Sequence, residues 1–295
     1  MYSLLADIRS LPAAANCSLH ASMCGMNANT SWKSIADGVW VRRWHRFDLT
    51  LGLVIGNESC LVVDTGADKD DGAILAEEIR ALTNKPWDFV YTHDHFDHFL
   101  GTAGFTNIGD IWAAGSAESY HSSAEIQRHV WADFMVKQGM PEQAQVLRRT
   151  HVIAPTQRVA NHVSLDLGER IVNLHHFGKG HTNNDVIVEV PDAGVVFMGD
   201  LAENGAPPQF GDGFPTEWPT TVESALQLTP SIVVPGHGEV ADIAWAHRQH
   251  ADLLQLRTLC QRVREGSLPL ETALPHSPWD ERTLQDAVMR LHSTS

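Results

Sequence analysis

Short hydrophobic runs dominate the first third of the chain and predict β-strands, together with one amphipathic helix. Turn residues such as 56–58 separate the runs, which is typical of an antiparallel meander. Between residues 73 and 82 the apolar side chains recur at helical spacing. The predicted elements are strands over 39–41, 51–55, 60–63 and 87–91, and a helix over 73–82.

The rest of the chain repeats this order, with strands followed by helices. Residues 116–138 predict a helix that Gly139-Met140-Pro141 ends, and residues 141–160 are ambiguous, with a lid-like insertion as one interpretation. A loop rich in glycine and proline spans 204–214. The later elements are strands over 171–174, 186–190, 195–198 and 232–234, and helices near 222–228, 241–264 and 280–292.

Two β-rich halves, each followed by helices, predict an α/β fold in which two facing sheets carry helices on their outer sides. This is a four-layer αββα sandwich. Residues 1–31 show neither the strand nor the helix period, so we interpret them as a partly ordered N-terminal extension. Residues 32–295 then form one domain, which suits the length of the chain.

Composition narrows the class of partner to small molecules. The formal net charge of −15 repels polyanions, so we expect no nucleic-acid partner. No apolar stretch approaches the roughly 18 residues of a membrane span, and the four cysteines lack CxxC spacing, which favours reduced thiols. We therefore expect a cytoplasmic protein that does not bind membranes, with a weak leader in the first 30 residues as the alternative; nothing in the sequence predicts the oligomeric state.

The segment from Thr92 to His98 concentrates metal-binding chemistry at the end of the predicted strand 87–91. His93 and His95 alternate and face one point, while Asp97 and His98 can turn towards a second. Imidazole and carboxylate ligands without cysteine suit Zn²⁺ first, with Mn²⁺ or Fe²⁺ as alternatives. The competing interpretation is a surface loop that is merely rich in histidine.

Three more polar residues lie where later predicted strands stop. His181 follows the 171–177 region, Asp200 follows the strand 195–198, and His237 follows the strand 232–234. Glycine stands beside each of them and allows tight turns and close backbone approach. Several such positions in one chain favour a shared metal site over isolated structural residues.

The motifs HxHxDH, GHT, GD and GHG occur in this order over roughly residues 38–260 and resemble those of the metallo-β-lactamase superfamily. The resemblance implies that His93, His95 and His181 hold one Zn²⁺, that Asp97, His98 and His237 hold a second, and that Asp200 bridges them. It also implies a metal-bridging hydroxide as nucleophile, with Asp97 as the catalytic residue that orients it and helps to protonate the leaving group. Asp64 matches a family aspartate that hydrogen-bonds a ligand histidine, although a turn or N-cap role fits equally well.

Different positions of the chain favour different members of that superfamily. Residues 178–185 and 233–240 resemble zinc β-lactamases with three histidines at the first metal. In those enzymes, however, a cysteine stands in place of Asp200, and a lysine three positions later binds the substrate carboxylate where this chain has Glu203. A bridging aspartate instead resembles glyoxalase II, lactonases and phosphodiesterases.

Two loops are expected to line the substrate pocket, and one of them lies between the first two predicted strands. Their aromatic side chains form an apolar wall in this hypothesis, with ordinary core packing as the alternative, and Arg43 or Arg46 binds a substrate anion. Trp218 fits helix packing better. The predicted substrate-binding residues are Arg43, Trp44, Arg46, Phe47, Phe210 and Phe214.

Together these features predict a dinuclear zinc hydrolase that opens a small ester, lactone, lactam or thioester, with β-lactamase activity as one possible side activity. One alternative is a phosphodiesterase acting on a small molecule, which the acidity of the chain disfavours. A non-catalytic metal-binding module with the same fold is the other, and the complete set of predicted ligands argues against it.

Overall fold

Turn-separated runs of β-branched residues form the first half of the fold, in a computed structural model that describes residues 31–293. Residues 1–30 of the predicted N-terminal extension lie outside the described residues, so the boundary between this extension and the domain stays a prediction. The elements of this half are β1 (Lys33–Ala36), β2 (Val39–Trp44), β3 (Leu49–Ile55), β4 (Cys60–Val63), α1 (Lys69–Leu82), β5 (Trp87–Val90), α2 (Phe96–Phe99), β6 (Ile111–Ala113), α3 (Ala117–Lys137), α4 (Pro141–Arg149) and β7 (Gln157–Arg158).

The second half begins with an antiparallel run of strands and ends in helices. β11 is ten residues long and continues past the predicted end at residue 198, with irregular pairing on either side of Gly199. Its elements are β8 (His162–Asp166), β9 (Ile171–His175), β10 (Ile187–Val190), β11 (Val195–Asn204), α5 (Trp218–Leu226), β12 (Ile232–Gly238), β13 (Ala241–Asp242), α6 (Ile243–Arg264), α7 (Leu270–Ala273) and α8 (Glu281–Ser293).

The strands form one mixed sheet that contains both halves. β1 to β4 pair antiparallel, and β4 to β7 continue as parallel neighbours. In the other half β8 to β11 are antiparallel, and β11 is parallel to β12. A contact between His237 of β12 and Leu49 of β3 joins the halves. That join brings the carboxyl end of β12 next to the first half.

Three hydrophobic clusters lie between the layers of the fold. The middle cluster contains valines from both halves, including Val63 of β4 and Val188 of β10, so the two halves of the sheet pack face to face. The second cluster joins the first half to α1, α3 and α4, and the third joins the second half to α5, α6 and α8. Helices therefore cover both outer faces, and the predicted αββα sandwich is confirmed.

Residues 141–160 are not a lid. Pro141 begins α4, whose side chains Ala144 and Leu147 are fully buried in the cluster beneath α3. The segment then returns to the sheet edge as β7. The short strands β1 and β8 also escaped the sequence analysis, because half-exposed strands of four or five residues carry a weak hydrophobic pattern.

None of the helices within residues 31–293 has the length and apolar character needed to cross a bilayer.

Gly72 of α1 packs directly against the backbone that follows the histidine segment. A Cβ atom at this position would lie 1.6 Å from the carbonyl oxygen of Gly101. Next to this contact, Thr65 N donates to the carbonyl of His98 at 2.7 Å. The close approach of α1 therefore supports the backbone that carries His98.

We expect Gly72→Ala to lower the free energy of unfolding by up to about 2 kcal/mol, because an overpacking cost of about 1–3 kcal/mol outweighs the gain of roughly 1 kcal/mol in helix propensity. Chemical denaturation measures the change. Glu77→Ala, at an exposed position of the same helix, is the matched control and should have little effect. A Gly72→Ala variant as stable as the wild type would show that the contact relaxes freely.

Candidate metal centre

The predicted ligands meet where strands from both halves end. β5 leads into the segment that carries His93 and His95, and α2 carries Asp97 and His98. The other three ligands are His181, from the loop between β9 and β10, Asp200 of β11 and His237 of β12. β11 and β12 are parallel, so their carboxyl ends reach the same edge of the sheet. This edge brings together residues that are far apart in the chain.

The first cluster contains three imidazoles and one carboxylate. The candidate ligand atoms of His93, His95, His181 and Asp200 all lie within 4.8 Å of one another. His181 Nε2 lies 3.0 Å from His95 Nδ1 and 3.5 Å from Asp200 Oδ2. These separations bring four nitrogen and oxygen ligands to one point.

Asp97, His98 and His237 form the second cluster, with the same 4.8 Å spread. Asp97 Oδ2 lies 3.7 Å from His237 Nε2 and 4.0 Å from His98 Nε2. The carboxylate of Asp200 also reaches this cluster, with Oδ1 at 3.3 Å from His98 Nε2 and Oδ2 at 3.2 Å from His237 Nε2. Asp200 therefore lies between the two groups of imidazoles.

Glycine at position 236 makes room for this carboxylate. A Cβ atom on Gly236 would lie 1.9 Å from Asp200 Oδ1. No other residue fits there without moving Asp200, which gives the glycine before His237 a steric role.

Several polar atoms at this point are buried without a hydrogen-bond partner among residues 31–293. They are His181 Nδ1, His93 Nε2, His98 Nε2 and Asp200 Oδ1; the last two lie 3.3 Å apart but form no hydrogen bond of acceptable geometry. Such atoms cost free energy when unsatisfied, and metal coordination would satisfy them. A set of imidazoles and carboxylates without thiolate fits Zn²⁺, so the side chains present fit the implied metal.

Asp64 contacts the second cluster through the imidazole of His98. Its carboxylate lies 2.7 Å from His98 Nδ1 and accepts hydrogen bonds from Thr92 N at 2.8 Å and Thr92 Oγ1 at 2.7 Å. Its backbone adopts φ = 59°, a left-handed conformation that non-glycine residues rarely occupy. These contacts match the predicted role of Asp64 beside a ligand histidine and leave the Nε2 atom of His98 facing Asp200.

Asp212 contacts His95 as Asp64 contacts His98, and the sequence did not predict this residue. Both of its carboxylate oxygens lie 3.2 Å from His95 Nε2, so His95 presents Nδ1 to the first cluster. Asp212 lies in the loop after β11, and neither spacing nor hydrophobic pattern distinguishes it from other loop aspartates. Only the folded loop reveals its role.

The C-terminal helix holds this loop in place. Arg290 of α8 donates from Nε to the carbonyl oxygen of Gly213 at 2.7 Å and from Nη2 to that of Asp212 at 2.8 Å. Arg290 is thus a positioning residue that acts on His95 through Asp212.

Opposite charges balance one another throughout the centre. Burial alone would lower the pKa of His95, but Asp212 outweighs it and raises this pKa to about 9. Burial likewise opposes ionisation of Asp212, yet His95 holds its pKa at about 2. Burial alone would raise the pKa of Asp200, but His237 and His98 hold it well below its usual value. Burial alone would lower the pKa of His237, but Asp200 raises it to about 10. These carboxylates require compensating positive charge, which protons or divalent cations can supply.

Most of the predicted pocket aromatics instead belong to the core. Trp44, Phe47 and Phe210 are 3%, 9% and 2% exposed, and Phe47 packs on the rings of Phe96 and Trp131. The carbonyl oxygen of Phe47 does contact the site, at 2.8 Å from His237 Nδ1. Ordinary packing therefore accounts for these three side chains.

Phe214 and Trp218 contact the loop that carries His181, where Phe214 N donates to the carbonyl oxygen of Gly180 at 2.8 Å. Phe214 is half-buried, with Lys179 Nζ 4.7 Å from its ring centroid. Trp218 is fully buried in the core at the start of α5, as helix packing predicts, and its ring meets that of His181 at 5.3 Å. Phe214 is thus the predicted pocket aromatic that keeps exposed surface.

Neither predicted arginine anchor has a free charge. Arg46 is buried and its guanidinium pairs with Asp68 at 2.6 Å and with Asp71. Arg43 pairs with Asp48 at 2.5 Å and with Glu239. Because two carboxylates compensate each guanidinium, this structure does not support either residue as an anchor for a substrate anion.

Comparison with known proteins agrees with this geometry. The family described as the metallo-beta-lactamase superfamily matches residues 50–237, more than half of the chain. The type 2 metallo-beta-lactamase of Bacillus cereus is 29% identical over 198 residues, which cover 65% of this chain and 68% of that protein. The corresponding protein of Bacteroides fragilis is 22% identical over 193 residues, covering 63% and 68%.

Solved structures share the fold at lower identity. The metallo-beta-lactamase FIM-1 of Pseudomonas aeruginosa, in its mono-zinc form, has a TM-score of 0.58 at 20% identity and covers 78% of this chain and 97% of that one. A metallo-beta-lactamase from Pontibacter korlensis has a TM-score of 0.55 at 18% identity, with coverage of 76% and 98%. The chain belongs to the metallo-beta-lactamase superfamily, and it is a metal-dependent hydrolase of that fold.

We expect Arg290→Ala to weaken zinc binding at the first cluster by about tenfold, because residues that orient metal ligands contribute on that scale. Competition with a chromophoric chelator measures the affinity, and circular dichroism checks the fold. Arg282→Ala on the same helix is the matched control, since the ion pair of Arg282 with Asp286 lies within α8. Equal affinity for the Arg290→Ala variant and the control would refute the positioning role.

Proposed function

We propose that the protein is a dinuclear zinc hydrolase that opens a small ester, lactone, lactam or thioester. The observation that carries this proposal is the position of Asp200, whose carboxylate lies 3.2 to 3.5 Å from imidazole nitrogens of both clusters. A carboxylate between two sets of ligands suits a pair of divalent cations better than a single one. His93, His95 and His181 would hold one ion, Asp97, His98 and His237 the other, and Asp200 both.

With two divalent cations held by these residues, the centre would supply a nucleophile at neutral pH from bound water of lowered pKa and would polarise the bond to be broken. The protein's own contribution is orientation and proton transfer. Asp97 is 8% exposed and lies beside His237, where its carboxylate can orient the attacking group and return a proton to the leaving group. Asp64 and Asp212 fix the ring orientations of His98 and His95.

Opposing features bear on the class of substrate. The relatives named as metallo-beta-lactamases favour a lactam, whereas the aspartate at position 200 and the glutamate at position 203 differ from the cysteine and lysine expected of zinc β-lactamases. The net charge of −15 favours a small substrate over a nucleic acid. We therefore include lactam hydrolysis as one activity among four carbonyl classes and keep a phosphodiester as the alternative.

The direct test is a panel of chromogenic lactams, lactones, thioesters, esters and phosphodiesters, assayed with zinc, with a chelator, and after zinc is restored. We expect turnover of at least one carbonyl substrate, its loss with chelator and its recovery with zinc. Asp97→Ala should lower kcat by about 10²–10⁴-fold, the usual contribution of general acid–base catalysis. Asp70→Asn, at an exposed position on α1, is the control.

Three results would contradict the proposal. Turnover that survives the chelator would exclude metal dependence. A wild-type rate in Asp97→Ala would remove its assigned role, and activity on phosphodiesters alone would favour the alternative substrate class.

A further inference from the structure

One face of α3 contacts the segment that carries His95. Side chains on this face meet Asp94 or Phe96, the two residues that flank this metal ligand. The contacting side chains follow one another at intervals of four residues, which places them on the same side of the helix. They are Ser123, Gln127 and Trp131. This face of α3 therefore holds the backbone on both sides of one ligand.

Gln127 forms two hydrogen bonds with that backbone. Its Nε2 donates to the carbonyl oxygen of Asp94 at 2.8 Å, and its Oε1 accepts from Phe96 N at 2.8 Å. A side-chain amide offers a neutral donor and a neutral acceptor on one planar group, which matches a carbonyl and an N–H two residues apart. Gln127 is 2% exposed, so water competes little for these bonds. The amide thus fixes the position of both neighbours of His95.

The surrounding contacts determine which way the amide of Gln127 points. Its Nε2 also donates to Ser123 Oγ at 2.5 Å, and Ser123 Oγ donates to the carbonyl oxygen of Asp94 at 3.1 Å. Turning the amide over would place Oε1 against that carbonyl and Nε2 against the Phe96 N–H, so both contacts would become repulsive. The ring of Trp131 stacks on that of Phe96, with 4.9 Å between the centroids. Polar and apolar contacts together select one position of the segment.

His95 depends on such contacts more than the other two histidines of the first cluster. The side chains of His93 and His181 are 1% and 2% exposed, whereas that of His95 is 19% exposed. His95 is also the N-cap of α2, but its ring nitrogens lie against Asp212 and His181. The first N–H group of a helix needs an acceptor from outside the helix, and Gln127 provides it here. Asp212 therefore holds the ring of His95, and α3 holds its backbone.

We infer that Gln127 is a positioning residue of the metal centre, which acts on His95 through the backbone of the two flanking residues. The inference rests on the proposed zinc centre and adds α3 to the elements that build it. Residues that orient metal ligands contribute about 10–100-fold to metal affinity. Without the amide, the Phe96 N–H would lose its acceptor and the Asp94 carbonyl one of its donors. The segment would then have to be ordered at the expense of metal binding.

Zinc affinity tests the inference in Gln127→Met and Gln127→Glu. Methionine removes both hydrogen bonds at similar side-chain length, whereas glutamate keeps an acceptor and loses the N–H donor. We expect both variants to bind one zinc ion at least about tenfold more weakly than the wild type, as measured by competition with a chromophoric chelator.

Arg128→Met is the matched control and should bind zinc as the wild type does. Arg128 is the next residue of α3 and donates to the carbonyl oxygen of Thr150, at the end of α4, at 2.6 Å. The control therefore also removes a hydrogen bond between α3 and a backbone carbonyl, but one that does not involve the ligand segment. Equal zinc affinity of the Gln127 variants and this control would overturn the inference.

Hydrogen exchange of single amides separates a local effect from a general loss of stability. In the zinc-loaded protein we expect the Phe96 amide to exchange at least about tenfold faster in Gln127→Met than in the wild type, because its acceptor is gone. The Phe89 amide, which donates to the carbonyl oxygen of Asp110 at 2.8 Å, is the internal reference and should exchange at an unchanged rate. Equal acceleration of both amides, or an unchanged Phe96 amide, would contradict the positioning role.

Neither measurement uses a substrate, so the inference and the proposed function can fail separately. A wild type that hydrolyses nothing in the panel, with Gln127 variants that lose zinc affinity and protection of the Phe96 amide, would reject the proposed function and support the inference. Hydrolysis by the wild type, with zinc bound normally by the Gln127 variants, would reject the inference and support the proposed function.

Discussion

The buried carboxylate of Asp200 is the constraint on which the arrangement of the centre depends. It is 5% exposed and lies within 4 Å of four imidazoles from three separate parts of the chain. Removing such a charge from water costs several kcal/mol unless positive charge surrounds it. The fold meets this requirement by ending β5, β11 and β12 at one edge, and a metal pair would meet it more fully than protonated histidines.

The candidate metal ligands could be predicted from the sequence because each motif contains side chains that bind metals. HxHxDH identified four candidate ligands, and the strand ends at His181, Asp200 and His237 supplied the other three, which the structure brings together. The four-layer fold followed from the order of strands and helices. Among residues 31–293 the short strands, such as His162–Asp166, were not predicted, and neither were the short helices Phe96–Phe99, Pro141–Arg149 and Leu270–Ala273, because each has too few residues to establish a hydrophobic period.

The residues that sequence reasoning missed act through tertiary contacts. Asp212 and Arg290 are 78 positions apart, and their contact depends on how α8 packs on the loop after β11. The predicted aromatic wall failed for a related reason: Trp44, Phe47 and Phe210 are apolar residues near the site, and apolar character alone cannot separate a pocket wall from a core. Arg46 likewise looked free in the sequence, whereas folding brings Asp68 and Asp71 to it.

Asp200 of β11 and His237 of β12 come from neighbouring parallel strands, and Asp200 contacts both sets of imidazoles. Anomalous diffraction at the zinc edge from zinc-loaded crystals tests the central claim most directly. Two peaks per chain, one among His93, His95 and His181 and one among Asp97, His98 and His237, with Asp200 between them, are the predicted result. A single peak at full zinc loading, or peaks away from these side chains, would contradict a dinuclear centre.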